Sequence, residues 1–169
     1  MATRYKNPGV QHTLCSIDPG KRACGVAIWT VGEKSSLVWC GLIKQRDGDP
    51  LLLARKILKK TNGFCVYFLE DPQFYPHKRK AHGDLRSLQK VVKFLEMEGA
   101  RPMVKVKPVG WKGNLPKPVH HKRILQHLNQ KEKKLVPEDH NVRDAVALGL
   151  FAIGRTGKGG TVRDKERGN

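Results

Sequence analysis

The chain has 169 residues, with 33 Lys and Arg against 15 Asp and Glu, for a formal charge of +18. That length suits one domain with a full-sized core and excludes two comfortable ones. So large a positive excess predicts a polyanionic partner bound through counterion release, nucleic acid before any other.

The longest apolar run, Ala145 to Ile153, is too short to span a bilayer and contains Gly149, so no membrane partner is expected. Met1-Ala-Thr-Arg-Tyr-Lys-Asn-Pro lacks the apolar core of a secretory signal, and an intracellular, cytoplasmic protein is expected. Cys15, Cys24, Cys40 and Cys65 form no Cys-x-x-Cys pair and sit in strand-like apolar runs, which predicts free buried thiols rather than disulfides or zinc ligands.

Residues 1–12 are polar and residues 155–169 have almost nothing to bury, so a folded domain over 13–154 with a flexible segment at each end is expected. Within it, the runs 13–18, 24–31 and 36–43 read as three strands of an antiparallel meander, with turns at Pro19-Gly20 and Gly32-Glu33-Lys34. Asp49-Pro50 introduces a helix over 51–60 with apolar residues at helical spacing, stopped by Asn62-Gly63. A fourth strand follows at 64–69, a second helix at 84–98 ended by Gly99, and a fifth strand at 103–109. A Trp/Gly/Asn/Pro loop over 110–117 leads to a third helix starting at Pro118, and the last helix starts after Pro137, with Glu138 and Asp139 in its opening turn. The pattern predicts an α/β fold, a mixed five-stranded sheet flanked by helices on both faces.

Three acids border core elements. Asp18 ends the first strand, Glu70 closes the run Phe64-Cys-Val-Tyr-Phe-Leu-Glu70, and Asp144 opens the last apolar helix. Converging carboxylates repel one another unless protonation or a cation relieves them. Hard oxygen ligands without paired cysteines point to Mg2+ or Mn2+, and two such ions can clamp the attacking and leaving oxygens of a phosphodiester. No small-molecule cofactor is expected. Each acid also has a structural reading: Asp18 as a turn residue, Glu70 with Asp71 as a strand cap, and Asp144 as a surface partner of Arg143 or Lys134.

Ile17-Asp18-Pro19-Gly20 with Gly25-Val-Ala, Leu69-Glu70 followed by Pro-Gln-aromatic, and His140-Asn-Val-Arg-Asp144-Ala together resemble the RuvC-type Holliday junction resolvases of the RNase H-like superfamily. Pro108-Val-Gly-Trp111-Lys-Gly-Asn-Leu-Pro-Lys117 resembles the bacteriophage-type members. The resemblance implies a homodimeric, structure-selective endonuclease that nicks four-way DNA symmetrically with magnesium or manganese. It implies Asp18, Glu70 and Asp144 as metal-binding carboxylates and Lys117 in a phosphate or transition-state role. Where the family has a fourth ligand one turn before its last Asp, this chain offers Asn141 and His140, both able to share Asp144's face. His140 has a capping or surface role as its alternative.

Lys105, Lys107, Lys112, Lys117, Lys122 and Arg123 surround the Trp111 loop and fit DNA contact, against the alternative that lysines solvate a face and Trp111 plugs the core. His120, His121 and His127 do not read as a metal triad. Phe74 and Tyr75, followed by Lys78, Arg79 and Lys80, lie in a loop that could reach a junction centre. Two further readings compete. The Asp18-Pro-Gly-Lys-Arg-x-x-Gly-Val-Ala stretch also resembles the YqgF-type proteins linked to ribosomal RNA maturation, and a noncatalytic basic module could simply coat nucleic acid.

Overall fold

The structure, a computed structural model, describes residues 12–61, 65–71, 82–100, 102–112 and 115–156. Strands β1 (His12–Asp18), β2 (Ala23–Val31) and β3 (Ser36–Lys44) form the expected meander, with β1 and β3 both antiparallel to β2. Helix α1 (Pro50–Thr61) follows, opened by the Asp49 carboxylate, which accepts from the Leu51 and Leu52 N–H groups at 2.8 and 3.3 Å. Strand β4 (Cys65–Glu70), helix α2 (His82–Met97) and strand β5 (Met103–Val106) complete a sheet of order β3-β2-β1-β4-β5, in which β4 runs parallel to both β1 and β5. The segment that ought to stop α1, Asn62-Gly63, lies outside the described residues.

Both faces of the sheet are covered. Cys15, Ile17, Val26, Tyr67 and Leu69 pack under α1 and α2, while Leu14, Ala27, Trp29 and Phe68 pack under the last helix. The alternation is the ordinary consequence of the two-residue strand period. All four cysteines are free and buried within these layers. No described helix is long and apolar enough to cross a membrane.

The carboxyl-terminal third departs from the sequence-based expectation in four places. The fifth strand ends at Val106 rather than 109, because Pro108 cannot donate to a sheet ladder and instead starts the short helix α3 (Pro108–Trp111). Helix α4 (Lys117–Gln126) begins one residue before Pro118. An unexpected helix, α5 (Gln130–Leu135), precedes α6 (His140–Ala152). Its signal was in the sequence: Asn129 and Glu132 form a reciprocal capping box, each side chain accepting from the other's backbone N–H at 2.9 Å. Asp139 proves to be the N-cap of α6, not part of its first turn, accepting from Asn141 and Val142.

Glu132 also fastens α5 to the sheet. Buried, it accepts from Leu37 N–H at 2.9 Å and from both terminal nitrogens of Arg155 at 2.8 Å. Burial opposes its charge, yet Arg155 and the two backbone donors outweigh this and hold its pKa down at about 2. Arg155 also donates to the carbonyls of Ser35 and His127, tying the end of α6 to β3 and α4.

Candidate active site

The register of the parallel strands sets two acids side by side. Ile17 pairs with Leu69, so Asp18 and Glu70 are the next residues at the carboxyl ends of adjacent strands β1 and β4. Leu14 and Phe68 face α6, and stepping by two along each strand puts Asp18 and Glu70 on that same face. Open α/β sheets place their ligand sites at this edge.

Asp144 arrives from α6, and a glycine lets it come close. Gly25 is the register partner of Asp18. A Cβ at Gly25 would collide with the backbone carbonyl of Asn141 and come within 2.8 Å of Val142 N, so the first turn of α6 lies directly on bare backbone of β2. Further along, Gly149 fits α6 over Trp29 and Ser16, whose side chains are joined by a 3.2 Å hydrogen bond from the indole N–H. With α6 seated by both glycines, the buried Asp144 carboxylate faces Asp18 and Glu70.

Burial and mutual repulsion, only partly offset by two lysines, are the electrostatic signature of the cluster. Burial, then the charges of Asp144 and Glu70, push the Asp18 pKa up to about 8, against the opposing pull of Lys112 and Lys117. The structural reading of Asp144 as a partner of Arg143 does not hold: Arg143 donates to the Pro137 carbonyl. Asp144 pairs instead with His121, at 2.9 Å between Nε2 and Oδ1, and lies 3.8 Å through Oδ2 from both Lys112 and Lys117. Lys112 approaches Glu70 Oε2 to 2.8 Å. Burial works against the ammonium, but Glu70 and then Asp144 and Asp18 raise its pKa above the ordinary lysine value.

Sequence reasoning assigned Lys112 to DNA contact and dismissed His121 only as part of a metal triad, whereas both side chains touch the acids. Only the i, i+4 spacing from Lys117 to His121, which puts both on one face of α4, hinted at this. His140 is exposed, in a shallow cleft with Lys117 and His121. Asn141 is placed by its backbone contact with Gly25. Trp111 packs on the α6-side core, edge-on to His120 at 5.5 Å between ring centroids. Among the other basic residues, Lys107, Lys122 and Arg123 are exposed, and Lys105 forms an exposed 3.0 Å ion pair with Glu96. Phe74, Tyr75, Lys78, Arg79 and Lys80 lie outside the described residues.

The donor set suits a hard divalent cation. Three carboxylates converge, one carries a strongly raised pKa, and Glu70 Oε2 is partnered by a lysine ammonium, itself a cation. As they stand, the described residues include no three His, Cys, Asp or Glu gathered closely enough to ligate one ion.

A meander of three antiparallel strands extended by two parallel ones, helices on both faces and an acidic cluster at the carboxyl edge define an RNase H-like fold. The solved structures that share it include Holliday junction resolvases. Thermus thermophilus RuvC in complex with a Holliday junction substrate superposes with a TM-score of 0.62 at 19% identity, over 87% of this chain and 97% of that one. The yeast mitochondrial Holliday junction resolvase Ydc2 gives 0.57 at 12% identity, over 90% and 84%. Fowlpox virus resolvase with its Holliday junction DNA gives 0.54 at 13% identity, over 81% and 95%. No protein-family model and no curated protein sequence matches the chain.

Proposed function

We propose that this protein is a metal-dependent, structure-selective endodeoxyribonuclease that resolves four-way or otherwise branched DNA by paired phosphodiester hydrolysis. The observation that carries the reading is the convergence of Asp18, Glu70 and Asp144 at the carboxyl edge of the sheet, inside a protein of charge +18. Asp18, Glu70 and Asp144 would hold Mg2+ or Mn2+, two ions per site, with Asn141 or His140 as candidates for a further ligand. Bound there, the metal would supply Lewis-acid polarisation of the phosphate and a nucleophilic water. His121 fixes the orientation of Asp144. Lys117, exposed and 3.8 Å from Asp144, would meet a phosphate oxygen.

Lys105, Lys107, Trp111, Lys112, Lys122 and Arg123 extend the basic surround, and the 72–81 segment with Phe74, Tyr75, Lys78, Arg79 and Lys80 is the candidate for the junction centre. Paired nicks across a two-fold junction require two related sites, which favours a homodimer. The 108–117 segment supports a bacteriophage-type member, acting in the cytoplasm.

The test is incubation with a labelled immobile four-way junction and the matching linear duplex, with and without Mg2+, beside Asp144→Asn. Expected are symmetric nicks in the junction alone, reduced about a thousandfold in the variant with junction binding retained. Binding without cleavage in Mg2+ or Mn2+ would favour the noncatalytic module, and cleavage of RNA instead would favour the YqgF-like reading.

A further inference from the structure

Lys112 sits within the acidic site. Its side chain is 24% exposed, against 65% for Lys117, and its ammonium lies between two carboxylates, 2.8 Å from Glu70 Oε2 and 3.8 Å from Asp144 Oδ2. Lys112 caps α3, its N–H donating to the Pro108 carbonyl, and its ammonium lies 4.8 Å from the Trp111 ring centroid. A cation shared by Glu70 and Asp144 would need the space that this ammonium holds, and two like charges at that distance repel.

The segment carrying Lys112 is lightly tethered by side chains. Trp111 Nε1 and His120 Nε2 are both buried and neither has a hydrogen-bond partner among the described residues. The Trp111 side chain is therefore held by packing, by the His120 ring and by the Lys112 ammonium, and the Lys112 side chain by its ion pairs. A buried donor without an acceptor favours any arrangement that supplies one.

We propose that Lys112 is a resident counter-ion of the free protein, which a divalent cation must displace from Glu70 and Asp144, and that a DNA phosphate draws it out. The proposal rests on the reading of the acids as a metal site. Once the ammonium has moved to a phosphate, Glu70 loses its ion pair and Asp144 one of its cationic neighbours, and the two take up the cation. DNA and metal then bind with positive coupling, and coupling of binding free energies is reciprocal. The free protein is thereby a poor metal binder, and cleavage chemistry is assembled only on substrate.

The test is Mn2+ binding to the full-length, metal-free protein, followed by the electron paramagnetic resonance signal of unbound Mn2+, for wild type, Lys112→Met, Lys112→Arg and Asp144→Asn. Lys112→Met should bind Mn2+ about tenfold more tightly without DNA, a size ordinary for coupled sites, while Lys112→Arg stays weak. Should Met disturb folding, as judged by thermal melting in chelator, Lys112→Gln serves in its place. A labelled four-way junction titrated in Ca2+ and in chelator gives the second readout: Ca2+ should tighten junction binding in wild type by a factor that falls towards one in Lys112→Met. Equal or weaker Mn2+ binding by Lys112→Met would overturn the counter-ion role, and an unchanged Ca2+ factor would overturn the coupling to DNA. Wild-type Mn2+ affinity in Asp144→Asn would overturn the metal-site reading itself and this proposal with it.

Discussion

Replacing Asp18 with Asn should stabilise the metal-free protein, increasingly as pH rises from about 4 to about 8. The Asp18 carboxyl has its pKa raised from 3.8 to about 8 by burial and by the neighbouring Asp144 and Glu70. A group whose pKa is higher folded than unfolded contributes stability that is complete below the unfolded value and is lost as pH rises through the folded one. For Asp18 the window runs from pH 3.8 to about 8. At about 1.4 kcal/mol per unit, a shift of this size sets an upper limit of about 4 kcal/mol at pH 7. Relaxation and partial solvation reduce that to about 1–3 kcal/mol, which for a domain of this size is a rise of about 3–9 °C in Tm. The assay is thermal melting in chelator from pH 4 to 9 for wild type and Asp18→Asn. The two curves should meet near pH 4 and separate steadily towards pH 8. Mg2+ at pH 8 should recover stability in wild type more than in the variant, since only wild type has the full carboxylate set to neutralise. A variant equally stabilised at pH 4 and pH 8, or less stable than wild type at pH 8, would refute the repulsion on which the site is built.

Two further variants probe how the fold delivers the site. Gly25→Ala places a methyl against the Asn141 carbonyl and should force α6 off β2, costing about 1–3 kcal/mol and, by moving Asp144, more than a hundredfold in junction cleavage; melting and cleavage on the same preparation separate the two losses. Arg155→Ala leaves the buried Glu132 without its counter-charge and should lower stability by about 3 kcal/mol at pH 7, read as a drop of about 6–12 °C in Tm. Because the Glu132 pKa is held down at about 2, the stability it contributes is present above 4.5 and lost as pH falls through 2, so the deficit of Arg155→Ala should shrink in acid.

The three acids fall where the strand ends and the seating of α6 put them. One fold serves many chemistries, and the choice among them lies in the side chains around the site.

Much of this was present in the sequence by itself. Strand patterning is local, so Asp18 and Glu70 were readable as strand-terminal acids, and the buried run 145–153 marked Asp144 as an acid at the mouth of a core helix. Charge, cysteine state, the meander and the helices flanking β4 were equally legible, and so was the Asn129–Glu132 box, although its helix was passed over. Tertiary structure decided the rest. Nothing along the chain says that the parallel register sets Asp18 beside Glu70, that Gly25 is the bare patch on which α6 lands, or that Pro108 turns the chain back so that Lys112 points into the acids. Those facts depend on residues tens of positions apart sharing a few ångströms, and pairwise electrostatics at that range is set by distance and burial, neither of which a linear pattern encodes. The same limit explains Lys112 and His121: in sequence they are two basic residues among 33 Lys and Arg and 7 His, and only packing singles them out as the groups that hold Glu70 and Asp144.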